Sequence, residues 1–154
     1  MTGTKHLVRR SLCLGASALA LFIAGCTMAP KGIAVLTPAQ EVPPVTSNAS
    51  GTTDLAVTQS KCPSSASSYY CPTVYGTVVT NGVVATAAHI HMAPAGQNGP
   101  VIVPLVKQSD TVWAVPGATT LTDEQWRAWW AGLLYVNVHS AANPGGEIRA
   151  QLKP

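Results

Sequence analysis

His89 and His91 flank Ile90, and His139 closes the run Tyr135-Val136-Asn137-Val138-His139. Side chains alternate along a strand, so an extended 88–92 segment projects His89 and His91 from one face and Ile90 from the other. In the second run Val136 and Val138 read as core, which leaves Tyr135, Asn137 and His139 on the opposite face. The chain has four histidines, and the fourth, His6, falls in the N-terminal leader described below. Three neutral imidazoles converging from two strands suit a divalent ion of borderline softness, copper before zinc on intrinsic affinity, with nickel also suited. Met92 offers a thioether, but as the neighbour of His91 on a strand it points to the other face. Glu41 and Glu147 are candidates to supply an oxygen ligand or to hydrogen-bond an imidazole from behind, and Asn137 joins them because it shares the histidine face.

Other chemistries find little support. Ser140 follows His139 directly, so the two face opposite sides of a strand, and no Gly-x-Ser-x-Gly elbow occurs. No pair of carboxylates stands out among the six acidic residues. No catalytic residue is assigned. The formal charge of +3 is concentrated at the N-terminus: without Lys5, Arg9 and Arg10, the nine basic residues fall to six, matched by the six acidic ones. A near-neutral mature chain has no basic stripe to neutralise phosphates, which argues against nucleic acid as a partner.

Lys5 to Arg10 forms a basic region and Leu12 to Ile23 an apolar run, the order of a secretory signal. At about 12 residues the run falls short of the roughly 20 a membrane-spanning helix needs. It ends in Ile23-Ala24-Gly25-Cys26, which resembles a bacterial lipobox. The resemblance implies cleavage after residue 25 and lipidation of Cys26; an ordinary signal peptide with a coincidental cysteine is the alternative. Residues 26–32 then form a tether and residues 33–154 one domain. Thr27 follows the cysteine in place of an inner-membrane retention aspartate, which favours the outer membrane if the host is Gram-negative. The protein is expected on a membrane through its acyl chains, facing the periplasm or the cell surface, with an envelope protein as a candidate partner.

With Cys13 removed and Cys26 acylated, Cys62 and Cys71 remain in an oxidising compartment, and a disulfide between them is expected. A two-cysteine metal site is the alternative, although no histidine lies nearby in sequence.

Of the residues, 47% are hydrophobic and only 10% charged, and 13 Gly and 12 Pro supply many turns, which suits short strands better than a helical bundle. The expected class is all-β, a Greek-key-like antiparallel sandwich or barrel with one short α-helix at about 123–131. Three prolines between Thr37 and Pro44 exclude a central strand there. Ser50–Thr58 and Thr73–Thr80 each read as one strand, and Asn81-Gly82 predicts a hairpin joining Val78-Val79-Thr80 to Val83-Val84-Ala85. Pro104 predicts a free edge within Val101–Val106. Thr122 and Gln125 form a capping box, and Gly132 follows the helix as its C′ residue. Trp126, Trp129 and Trp130 share one helix face, either a ligand platform or membrane-interface anchor, or a plug for one end of the core.

Five segments together resemble the CHRD domain, a family widespread in bacterial exported proteins: Gln40-Glu41-Val42-Pro43-Pro44, His89-Ile90-His91, Asn98-Gly99-Pro100-Val101, Leu134 to His139, and Gly146 to Leu152. The resemblance runs from about Ile33 to Leu152 and implies an all-β sandwich-like domain, in a family whose bacterial members mostly lack an established activity. A fainter resemblance links His-x-His at 89–91 and Val-x-Val-His at 136–139 to the copper-ligand strands of copper-zinc superoxide dismutases. There is no further histidine for a bridging ligand and no His/Asp-rich zinc loop, so a full copper-zinc dismutase is excluded. Three functions remain: metal binding through His89, His91 and His139; a protein- or matrix-interaction module with structural histidines; and a copper-only, dismutase-like redox enzyme.

Overall fold

The computed structural model describes residues 33–62, 69–117 and 119–154. The leader 1–25, Cys26, the tether and the centre of the Cys62–Cys71 connection lie outside the described residues. Among those described, no helix is long and apolar enough to cross a membrane.

Among the described residues there are eleven strands, and every strand pair is antiparallel. One layer holds β1 (Ala34–Leu36), β2 (Ser50–Thr53), β5 (Thr77–Asn81), β9 (Val112–Ala114) and β8 (Val106–Lys107), in the order β1-β2-β5-β9-β8. The other holds β6 (Ala85–Met92), β7 (Val101–Pro104), β10 (Leu134–Ser140) and β11 (Ile148–Gln151), in the order β11-β10-β6-β7. Leu36 and Val78 from the first layer and Ile90, Val136, Val138 and Ile148 from the second are buried together in one core. This is the all-β sandwich expected from composition and turn chemistry.

Local conformation decides where the predicted strands break. Ser50–Thr58 divides into β2 and β3 (Ala56–Lys61), and Thr73–Thr80 divides into β4 (Tyr70–Tyr75) and β5. At the second break Gly76 adopts φ 118°, and Asp54 Oδ1 accepts hydrogen bonds from Thr77 N at 2.6 Å and Thr77 Oγ1 at 3.1 Å. A positive φ of that kind is accessible to glycine and strained for other residues. The chain therefore leaves the main layer, and β3 and β4 pair with each other as a separate two-stranded sheet. Cys62 and Cys71 are joined there by a disulfide, with Cα atoms 5.1 Å apart.

The Asn81-Gly82 hairpin does not form. Gly82 has the positive φ of a turn, 70°, but β5 pairs with β2 and β9 while the chain beyond the turn enters β6 in the opposite layer. A turn dipeptide specifies reversal of the chain; pairing depends on which partners each flank finds, and both flanks find better ones elsewhere. Pro104 lies on an edge strand as expected, paired with β6, but Val101–Val106 is not one strand: β7 ends at Pro104, and Val106 begins β8 in the other layer.

The helix α1 runs Asp123–Trp130, ending one residue earlier than expected, with both hydrogen bonds of the capping box in place. Gly132 N donates to Trp129 O and Leu133 N to Ala128 O, the paired bonds of a Schellman ending. Trp129 is buried and Trp126 packs against the core, whereas Trp130 is 61% exposed and meets Trp126 edge-on. The aromatic face thus mainly closes the core.

Replacing both Cys62 and Cys71 by serine should lower unfolding free energy by about 2–3 kcal/mol, the closure entropy of so short a loop. Urea denaturation checks this, and a loss too small to measure would mean that the remaining β3–β4 contacts already fix the hairpin.

Candidate metal centre

The paired strands β6 and β10 carry the three histidines on the outer face of the second layer. Their register sets His91 opposite Tyr135, Ile90 opposite Val136 and His89 opposite Asn137. Ile90, Val136 and Val138 point into the core, so strand alternation sends His89, His91, Tyr135, Asn137 and His139 to the other side. Met92 packs against the core, away from the imidazoles, as the parity of the strand requires. On β11, Arg149 lies opposite Asn137 and Gln151 opposite Tyr135, extending the same polar face.

One ligand nitrogen from each of His89, His91 and His139 lies within 4.8 Å of the others. Three ligands at roughly 2.0–2.1 Å from one ion lie about 3.3–3.6 Å apart at tetrahedral or trigonal angles, so the widest pair would have to draw in by roughly 1–1.5 Å. The hydrogen bonds identify the nitrogens. His91 Nδ1 is 3.0 Å from Gly99 O and His139 Nδ1 is 3.0 Å from Pro144 O. A carbonyl can only accept, so both Nδ1 atoms carry hydrogen and both Nε2 atoms present lone pairs. His91 Nε2 is buried without a partner, the orphaned acceptor expected of a ligand held ready for a cation. His89 Nδ1 lies 3.0 Å from His139 Nε2 and donates to it. An ion held between those two atoms would take the place of that proton, which the half-buried His89 ring could carry on Nε2.

Burial lowers the pKa of all three histidines, and like charge between neighbouring rings adds to the effect at His89 and His91. The carbonyls of Gly99 and Pro144 oppose it only in part. Neutral imidazole is the form that binds metal, so proton competition is weak near neutral pH.

Of the acidic and amide candidates, Glu41 and Asn137 bond to each other, and Glu147 has partners of its own. Asn137 Nδ2 reaches both carboxyl oxygens of Glu41, at 3.0 and 2.8 Å. Desolvation pushes the Glu41 pKa up to about 7, against the lowering effects of Arg149 and Asn137. Gly146, at φ 141°, roofs this pair so closely that a Cβ there would strike Asn137 Nδ2 and both Glu41 oxygens. Glu147 accepts from Ser47 Oγ at 2.6 Å; burial alone would raise its pKa, but bonds from Ser140, Ser47 and Asn143 hold it below the ordinary value. Backbone carbonyls, rather than Glu41, Glu147 or Asn137, thus hold the rings of His91 and His139, an arrangement that side-chain identity does not reveal.

Sequence reasoning also passed over Arg149. Its side chain is 1% exposed, and its guanidinium carbon sits 3.5 Å from the centroid of Tyr135. Tyr135 stacks in turn on His91, with centroids 4.8 Å apart and planes 11° from parallel. The available signal was an arginine between Ile148 and Ala150 in a closing strand. All five motif segments meet here: Glu41 on Asn137, Asn98 Nδ2 on Val42 O at 2.7 Å, Arg149 on Asn98, and Gly99 between His91 and Tyr135.

A family model described as the CHRD domain matches residues 33–152. No curated protein and no solved structure matches the chain.

Glu41 should leave a pH signature on stability. Its folded pKa of about 7 lies above the ordinary 4.5, so the folded state binds the extra proton, and this group's contribution declines as pH rises through that interval. Glutamine does not titrate. The stability of Glu41→Gln relative to wild type should therefore rise from pH 5 to pH 8 in parallel urea titrations; a difference that stays flat would show that the carboxyl titrates normally.

Proposed function

This chain belongs to the CHRD domain family, and on that premise we propose that it binds one metal ion per domain through His89 Nδ1, His91 Nε2 and His139 Nε2, copper before zinc. The observation that carries the proposal is the pairing of a ligand cluster with a buried, partnerless His91 Nε2. A structural histidine at that depth would use both ring nitrogens or turn its free one to water. Three neutral nitrogens without a carboxylate or thiolate among them favour copper by intrinsic affinity, and also match a three-histidine zinc set. The half-buried rings of His89 and His139 leave a side from which an ion can enter.

The address read from the leader completes the proposal. Lipidation at Cys26 would hold the domain at the cell envelope, in the outer membrane of a Gram-negative host, since two or more acyl chains anchor a protein stably where one does so marginally. Labelled palmitate should enter the wild-type chain and not Cys26→Ser; equal labelling of both would remove the lipobox reading.

Calorimetric titration with Cu(II) and Zn(II) tests the metal site directly. Wild type should take up one ion, copper more tightly than zinc, and His89→Ala, His91→Ala and His139→Ala should each weaken binding by at least the roughly 10–100-fold typical of losing a supporting group. Binding no tighter than the micromolar range, or unchanged in the three variants, would refute the proposal.

A further inference from the structure

The turn at 97–99 is fastened to the histidine face by a column of stacked side chains. Arg149 Nη2 donates to Gln97 O at 2.8 Å and Nη1 to Asn98 Oδ1 at 3.2 Å. Gly99 N donates to Tyr135 Oη at 3.1 Å, and Gly99 O accepts from His91 Nδ1 at 3.0 Å. A Cβ on Gly99 would run into the Met92 carbonyl, so this turn lies directly on the β6 backbone and its geometry is transmitted to His91.

Two constraints therefore fix the His91 ring: the face of Tyr135 sets its plane, and Gly99 O sets its rotation. Both trace to the same guanidinium, which covers the far face of Tyr135 and ties down the turn that carries Gly99. We infer that Arg149 is the positioning residue of the metal centre, aiming His91 Nε2 at His89 and His139 without touching the ion. An apolar side chain could fill the space above Tyr135, but it would offer no planar fork to the carbonyl of Gln97 and the amide oxygen of Asn98. A lysine would keep the charge and lose the fork.

The affinity arm of the test rests on the metal-binding reading, whereas the metal-free arm does not. In the full chain without metal, exchange of the His91 ring Nδ1–H, followed by nuclear magnetic resonance, should be slow in wild type and faster in Arg149→Gln. Loaded with Cu(II), Arg149→Gln should bind roughly 10–100-fold more weakly and show an altered copper hyperfine pattern by electron paramagnetic resonance. Arg149→Lys should not restore either property. Asn98→Ala, a loop change that removes one of the arginine's partners, should shift both in the same direction by a smaller factor; it decides the matter if Arg149→Gln does not fold. Val78→Ala, which opens a cavity beneath the opposite layer, should lower stability yet leave exchange and copper spectrum unchanged. Wild-type exchange and spectrum in both Arg149→Gln and Asn98→Ala, or equal shifts in Val78→Ala, would overturn the inference. If the wild type takes up no copper, the metal reading falls, and ring exchange alone decides whether Arg149 positions His91.

Discussion

A guanidinium kept almost wholly from water dictates much of this domain. Removing a charge from solvent costs several kcal/mol unless hydrogen bonds and an opposing charge replace the lost hydration. Arg149 meets that requirement with a carbonyl, two side-chain oxygens, an aromatic face and the nearby Glu41, whose carboxyl is partly ionised near neutral pH. Apart from Gln151, which shares β11 with Arg149, these partners are delivered by three other segments. The 97–99 turn arrives from the β6–β7 connection, Glu41 from the proline-rich stretch after β1, and Tyr135 from β10. The loops over the outer face of the second layer are thus fixed in place by polar satisfaction, while the inner face is held by burial of Ile90, Val136, Val138 and Ile148.

This division explains which parts of the molecule could be read from the chain. Properties set within a few residues were legible: the parity that puts His89, His91 and His139 on one side, the cap at Thr122, the C′ glycine at 132, the cysteine pair and the edge position of Pro104. Properties set by competition between distant partners were not. Asn81-Gly82 carries a strong local signal for a hairpin, yet β2 and β9 take the hydrogen bonds of β5. Gly76 and Asp54 together break strands that alternation alone would extend. The carbonyls of Gly99 and Pro144 are invisible in a sequence because every residue has a carbonyl and only the fold selects one.

Arg149 shows a subtler failure of sequence reading. In a closing strand, an arginine beside Ile148 and Ala150 reads as an outward, solvated residue, and its strand parity is indeed outward. The loops supply what parity cannot: a second wall that turns the outer face of the sheet into an interior. Two interiors therefore share one sheet, an apolar one beneath and a hydrogen-bonded one above, and the histidines occupy the second.

The proposed ligand nitrogens come from two strands that meet only in the folded chain. His89 and His91 are near neighbours along β6, whereas His139 belongs to β10 and joins them through the β6–β10 register. An unfolded chain offers an ion two nearby imidazoles at most, and the folded chain offers three. Any ion that needs the third nitrogen binds the native state preferentially and shifts the folding equilibrium toward it. Closure of the β6–β10 pair would then be a thermodynamic partner of metal loading, so that a newly made chain would acquire high affinity at the same step in which its second layer zips together.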